Sequence, residues 1–258
     1  MKIHIADPTG LCFGVRRAIS KLEEELLRSG TVYSLGSPIH NPQETHRLTG
    51  MGLVVVESAE EVPAGSVAFI RAHGVTPLQA DILMKKCRKV VDGTCPFVKT
   101  AQKRAKDLSS EGYVEGEVAV VSSEEGIPDN LKGRRCGILS QTTQKVGSFA
   151  ALVGSFIKVS PEIKVYNTIC KATLARQDSV CRLASKVDGM IILGGRNSAN
   201  TKKLAEISMD VGVSTLWIEH AGEIDRGWLQ NRDDIGIAAG GSTPDWLIKE
   251  LIQKLNMM

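Results

Sequence analysis

Three cysteines stand in the same kind of place: Cys12 in "DPTGLCFGVRRA", Cys95 in "DGTCPFVKTAQKRA" and Cys170 in "NTICKATLARQD". Each follows a β-branched run and a short polar turn. Each opens a helical pattern carrying Arg or Lys and a small residue. At a helix N-terminus the dipole and the free N–H groups favour a thiolate. If repeated units pack around a pseudo-threefold axis, the three thiolates converge, and they then need a strong cation. Structural zinc sites usually show closely spaced cysteine pairs and close with four ligands, and none of these cysteines is so paired. An iron–sulfur cluster normally takes four cysteines. Three leave one iron with an open position, able to act as a Lewis acid on a substrate oxygen. The plain alternative is three unrelated core thiols, which the shared context disfavours. Cys87, Cys136 and Cys181 lack that context and read as buried or half-buried packing.

Other polar groups fall at strand ends. His40 in "LGSPIHNPQ" and His73 in "FIRAHGVTP" occupy the positions beyond parallel strands where ligands bind. Imidazole there can donate to a phosphate or pass a proton. His4, His46 and His220 have no such setting. Three further turns suit an anion: "GGRNSANTKK", "LSQTTQ" with Gln141, Thr142 and Thr143, and "AAGGSTPDW". In the last, Ser242 or Thr243 is expected as N-cap and Pro244 in the first turn. Helix capping explains any one of them. Equivalent loops of repeated units would bring all three to one small ligand. No P-loop lysine motif is present, so no nucleoside triphosphate is implied.

The elements that must position these groups alternate strand and helix, which indicates α/β units with mainly parallel sheets. Besides the three runs before the cysteines, strands are expected in "TVYSLG", "GLVVVE", "SVAFIRA", "EVAVV", "CGILS", "GMIILGG", "TLWIE" and "DIGIAAGG". Helices are expected over 15–28, 76–86, 97–111, 172–185, 201–211 and 244–254, with a further one after His40. The internal repeat extends past the cysteines. "GLVVVESAEEVPAGSVAFIRAHG", the segment from Gly116 to Thr143, and "STLWIEHAGEIDRGWLQNRDDIGIAAGGSTPD" each show a strand, an acidic turn, a linker and a second strand. The expected organisation is three pseudo-equivalent α/β lobes around a central cluster, over 1–92, 93–166 and 167–258. The middle lobe is short. After the Cys12 and Cys170 helices come a strand, a polar site loop and a helix, but after the Cys95 helix only "GYVEG" precedes "EVAVV". A missing core strand would leave apolar area uncovered. The native molecule is therefore expected to carry more residues here, with a mass above 27.8 kDa.

Composition narrows the class. The 258 residues are 42% hydrophobic and 24% charged, as in ordinary globular proteins. A net charge of +3 implies no polyanion partner, and 4% aromatic residues argue against a base-stacking surface. No run has the length of a membrane span, and "MKIHIADPTG" lacks the apolar stretch of a signal peptide. A cytoplasmic protein is expected, with free, catalytic or metal-bound cysteines rather than disulfides.

Together, "GLCFGVRRA", "SPIHNPQ", "RAHGV", "DGTCPFV", "QTT", "NTICKAT", "GRNSANT" and "AGGSTPDW" resemble the LytB-type family of 4-hydroxy-3-methylbut-2-enyl diphosphate reductases. The resemblance covers nearly the whole chain, with the motifs in the same order. It implies an oxygen-sensitive [4Fe–4S] cluster and the last step of the non-mevalonate isoprenoid pathway, with isopentenyl and dimethylallyl diphosphate as products. By the same resemblance Cys12, Cys95 and Cys170 match the cluster ligands. His40, His73, Ser198, Asn200 and Ser242 match diphosphate contacts. Thr142 matches a threonine close to the substrate hydroxyl. Ala199 replaces a serine of some relatives. The family's His-Pro-Glu motif, with its third histidine and proton-delivering glutamate, falls in the short middle lobe and has no match. Glu115 corresponds to a residue just after it and is not assigned the acid's role. No flavin or nicotinamide fingerprint appears, so electrons are expected from a partner such as ferredoxin or flavodoxin. Rival readings are a non-catalytic iron–sulfur or diphosphate-binding module, a zinc hydrolase or lyase on the same thiolates, and a cysteine-nucleophile enzyme. The last lacks an obvious base partner.

Overall fold

The computed structural model describes residues 1–113 and 119–258. Strands β1 (Lys2–Ile5), β2 (Val32–Leu35), β3 (Leu53–Val56), β4 (Val67–Ile70) and β5 (Lys89–Asp92) occupy the N-terminal third. They are followed by β6 (Cys136–Leu139), β7 (Ile163–Tyr166), β8 (Gly189–Leu193), β9 (Ser214–Ile218) and β10 (Asp234–Ala239). The helices are α1 (Phe13–Ser29), α2 (Pro42–Gly50), α3 (Pro77–Lys86), α4 (Pro96–Ser110), α5 (Val146–Ile157), α6 (Lys171–Ala184), α7 (Ala199–Asp210), the single turn α8 (Arg226–Leu229) and α9 (Asp245–Asn256). The chain is α/β, and every strand pair among the described residues is parallel. The strands form sheets ordered β1-β10-β8-β9, β3-β2-β4-β5 and β6-β7.

By contacts the chain forms two compact units, Met1–Cys95 with Ala175–Met258, and Pro96–Leu174. The first holds both four-stranded sheets. The central strand β8 is buried at all five positions, as expected for a sheet covered on both faces. Ile191, Leu193, Ile235 and Ile237 pack on one face with Leu247 and Leu251 of α9. Met190, Ile192 and Ala238 pack on the other with Val180 and Ala184 of α6 and Leu204 of α7. On the second sheet, Ala18, Leu22 and Leu26 of α1 lie against Val32, Leu53, Val67 and Phe69. Leu35, Val56, Ala68 and Ile70 form a further cluster with Leu83 of α3. In the second unit one cluster, built on Ile138, Phe149, Phe156 and Ile169, supports the two-stranded sheet.

The repeat has a common local form. The acidic turns become short 3-10 helices at Ala59–Glu61, Glu124–Gly126 and Ala221–Glu223. Each cysteine follows a strand at a sheet edge, β1, β5 or β7, and the next helix leaves for another sheet. Thus β1 does not pair with the strands that follow it but with β10, at the far end of the chain. Helix α1 then packs on the second sheet.

Several expectations are corrected. The strand expected over 117–121 is not formed at 119–121, and 114–118, Glu115 included, lie outside the described residues. Helix α5 was not anticipated, because its mostly apolar and small residues, with glycines at 147 and 154, give no clear start signal. The N-cap of α9 is Pro244, not Ser242 or Thr243. Thr243 is fully buried and gives its hydroxyl to the Leu193 carbonyl at 3.0 Å, so it is not free to cap. Cys136 is buried and Cys87 half-buried, but Cys181 is exposed. Its neighbours Val180 and Ala184 take the inward face of α6 and leave position 181 outside.

Candidate functional site

One backbone contact recurs at all three cysteines. The Cys12 N–H donates to the Gly241 carbonyl at 3.1 Å. The Cys95 N–H donates to Ala72 at 2.9 Å, and the Cys170 N–H to Thr142 at 2.9 Å. Each acceptor lies just past the strand neighbouring the cysteine's own: β10 beside β1, β4 beside β5, β6 beside β7. The pairing of parallel strands therefore seats each thiol-bearing turn beside a loop that carries a candidate ligand group. Those loops hold Ser242, His73 and Thr142.

The turns are braced locally. Asp92 accepts the Thr94 N–H at 2.8 Å, and Asn167 accepts the Ile169 N–H at 3.1 Å. Both are Asx turns, each begun three residues before its cysteine. The signal is legible in "DGTC" and "NTIC", where an Asp or Asn stands three residues before the cysteine. Cys12 forms the N-cap of α1 without spending its side chain on the cap. Helix α1 is held to the Cys95 turn by Lys21, which donates to the Asp92 carbonyl at 3.0 Å. Arg17 reaches the Thr94 carbonyl at 3.4 Å. Cys95 packs on the first turn of α1 so closely that a Cβ at Gly14 would lie 2.3 Å from its Sγ. Two half-buried free thiols therefore flank one helical turn in the first unit. Cys170, also half-buried and free, belongs to the second. Among the described residues, no three His, Cys, Asp or Glu side chains already form a metal-binding group.

The first unit also brings together the groups suited to an anion. Ser242 Oγ donates to the His40 carbonyl at 3.3 Å and lies 3.4 Å from Ser198 Oγ. Ser198 caps α7 by accepting the Thr201 N–H at 3.3 Å. A Cβ at Gly241 would lie 3.1 Å from Asn200 Nδ2 and 3.8 Å from Cys12 Sγ, so the amide and the thiol face the same glycine. Asn200 Oδ1 is buried without a partner. His40 itself is placed by Asn41, which caps α2 by accepting the Glu44 N–H at 2.9 Å. The His40 and His73 rings stand 4.7 Å apart, tilted by 52°. Burial lowers the pKa of His40, helped by the charge of Arg71. His73 is pushed down to about 4, by desolvation first and then by His40 and Arg71. Its residue still has an exposed side, where water offsets part of that desolvation. The direction is what matters: with no anion bound, both rings are neutral at pH 7. The site is thus a cradle of hydroxyls, an amide and two imidazoles, beside a thiol that the helix start leaves free.

The other candidate, Thr142, lies in the second unit and is tied to Cys170 through its own carbonyl. The ends of β6 and β7 are laced there: the Thr168 N–H donates to Ser140 Oγ at 2.8 Å. The groove lined by Pro42, Gln43, His46, Arg47 and Trp246 contains none of the candidate residues.

Residues 3–116 and 110–256 match the family model described as "LytB protein". The two matched stretches overlap at 110–116. The 4-hydroxy-3-methylbut-2-enyl diphosphate reductase of Aquifex aeolicus (strain VF5) is 41% identical over 276 residues, covering 98% of this chain and 95% of the relative. That of Geobacter metallireducens is 40% identical over 274 residues, covering 99% and 97%. Both alignments are longer than the 258 residues of this chain. A solved (E)-4-hydroxy-3-methyl-but-2-enyl diphosphate reductase, described as the terminal enzyme of the non-mevalonate pathway, superposes with a TM-score of 0.74 at 40% identity and full coverage of both chains. The Plasmodium falciparum E-1-hydroxy-2-methyl-but-2-enyl-4-diphosphate reductase structure gives a TM-score of 0.87 at 25% identity, covering 99% of this chain and 87% of that one.

Proposed function

Because the chain belongs to the LytB protein family, we propose that it reduces 4-hydroxy-3-methylbut-2-enyl diphosphate to isopentenyl and dimethylallyl diphosphate. The observation that carries this reading is the recurring cysteine N–H contact, which sets each thiol next to a loop bearing His73, Thr142 or Ser242. Cys12, Cys95 and Cys170 would hold a [4Fe–4S] cluster. Their chemistry fits: three free, half-buried thiols, each at a helix start, none in a disulfide. When bound, such a cluster supplies electrons one at a time and a Lewis-acidic iron that three cysteines leave without a protein ligand.

The chain's own residues bind and orient. Ser198, Ser242, Asn200 Nδ2 and the neutral imidazoles of His40 and His73 donate hydrogen bonds to the diphosphate. Fixing that end limits the positions open to the allylic alcohol, which is how binding energy lowers the barrier. The Thr142 hydroxyl would hold the substrate hydroxyl or its water in place. Overall the C–O bond breaks, two electrons and two protons enter, and water leaves. One proton goes to the departing oxygen and one to either end of the allyl fragment. The electrons come from an external donor such as ferredoxin or flavodoxin. Among the described residues no helix is long and apolar enough to cross a membrane, and a cytoplasmic site of action is part of the proposal. So is a division into three lobes over 1–92, 93–166 and 167–258, in line with three separate parallel sheets, of which the β8–β10 sheet also takes in β1 from the first lobe.

The test is oxidation of reduced viologen by anaerobically prepared protein, with 4-hydroxy-3-methylbut-2-enyl diphosphate as acceptor. Turnover that disappears in Cys12→Ser is the expected result. Protein shown to contain its iron and sulfide, yet inert, would sink the enzyme reading and favour a binding module that lacks the His-Pro-Glu motif.

A further inference from the structure

Arg71 stands just past β4, two residues before His73, and opens the "RAHGV" stretch without a role assigned to it. Its guanidinium lies over Gly36, in the loop that leads to His40. A Cβ at Gly36 would be 2.7 Å from Arg71 Nη1 and 3.2 Å from Cζ. Gly36 also has φ +69°, so only glycine combines that turn with this close approach. Arg71 Nε is buried and has no hydrogen-bond partner. Among the described residues no carboxylate pairs with Arg71. Its charge is nevertheless close enough to act on both His40 and His73. Arg71 is half-buried, and a guanidinium with one buried N–H unpartnered, set over a glycine beside two imidazoles, is placed to receive an anion.

We propose that Arg71 is a third anion-positioning side chain of this site, which takes phosphoryl oxygens of the substrate's diphosphate alongside His40 and His73. This rests on the diphosphate reading above and adds to it the permanent positive charge that the hydroxyls, the amide and the neutral imidazoles lack. Guanidinium suits the task, because its fork of N–H donors matches two phosphoryl oxygens and stays charged at any working pH.

The experiment is calorimetric titration of inorganic pyrophosphate into anaerobic, cluster-loaded protein at pH 8, where the imidazoles are neutral. Wild type, Arg71→Lys and Arg71→Met are compared, with melting temperatures measured without ligand. Arg71→Met is expected to weaken pyrophosphate roughly 10- to 100-fold, with no fall in the ligand-free melting temperature. Arg71→Lys should fall between, since it keeps the charge and loses the fork. Unchanged affinity in either variant overturns the proposal, and the lysine variant decides the matter if the methionine variant does not fold. A lower melting temperature with unchanged affinity would make Arg71 structural. Wild-type protein that does not bind pyrophosphate would also overturn it. Arg71-dependent binding of pyrophosphate in a protein without turnover would instead remove the reductase reading and leave the anion site standing.

Discussion

At the scale of single residues, the site depends on closeness that leaves no room for growth. The missing side chain at Gly14 lets Cys95 Sγ rest on the turn begun by Cys12. Gly14→Ala is expected to fold, since alanine favours the helix, but to recover little iron and sulfide after anaerobic reconstitution. Normal iron content in that variant would show that the Cys95 thiol has other room. The histidines give a second expectation. Both have lowered pKa values, so below the ordinary histidine range the unfolded chain takes up protons that the folded chain refuses. Stability of the ligand-free protein is then full above about pH 6.5 and falls as pH drops toward 4. His73→Gln should flatten that part of a melting-temperature profile, and bound pyrophosphate should counter the loss by favouring the charged rings. A profile unchanged by His73→Gln would show that other groups cause the acid sensitivity.

At the scale of elements, the site is held by helix α1 and its seams. Leu22 is fully buried against the second sheet. Leu22→Ala should cost about 2–5 kcal/mol in denaturant unfolding, and a loss near zero would mean that α1 is not fixed by this packing. Glu25 is buried on the same helix and pairs with Lys89 of β5 at 2.5 Å, with a second bond from Ser29. The Lys89 contact, then Ser29, holds its carboxyl below the usual range. The contribution is present above the ordinary glutamate pKa and is lost as pH falls through the lowered one. Lys89 is half-exposed, so Glu25→Gln should cost only about 1–2 kcal/mol. Helix α3 carries a full capping box between Thr76 and Gln79, and its N-cap lies three residues after His73.

At the scale of the whole molecule, the two units are built to different depths. Four buried clusters support the first, and one supports the second among the described residues. Amide exchange should therefore be faster through β6, β7 and α5 than through β8 and β10, and unfolding should not fit two states. Equal protection in both would remove the distinction. A two-stranded sheet is also marginal by itself, and the family match breaks at 110–116. An intact mass above 27.8 kDa for the native protein is the matching expectation.

The sequence by itself determined most of the element types, α5 excepted, and the three cysteine turns. These are local: a β-branched run, an Asx or capping residue and a helical period are written within a few residues of one another. It did not determine which strands pair. That β1 lies beside β10, and that Cys12 therefore bonds to Gly241 next to Ser242, depends on which edge of a sheet is left with unpaired backbone N–H and C=O groups to take another strand. Position 181 read as packing and emerged exposed, because burial depends on which face of α6 the sheet claims. Arg71 was invisible as a site residue for the same reason: one arginine in "FIRAHG" looks like any surface charge. Only the tertiary structure laid it over Gly36 beside two histidines, with no carboxylate paired to it among the described residues.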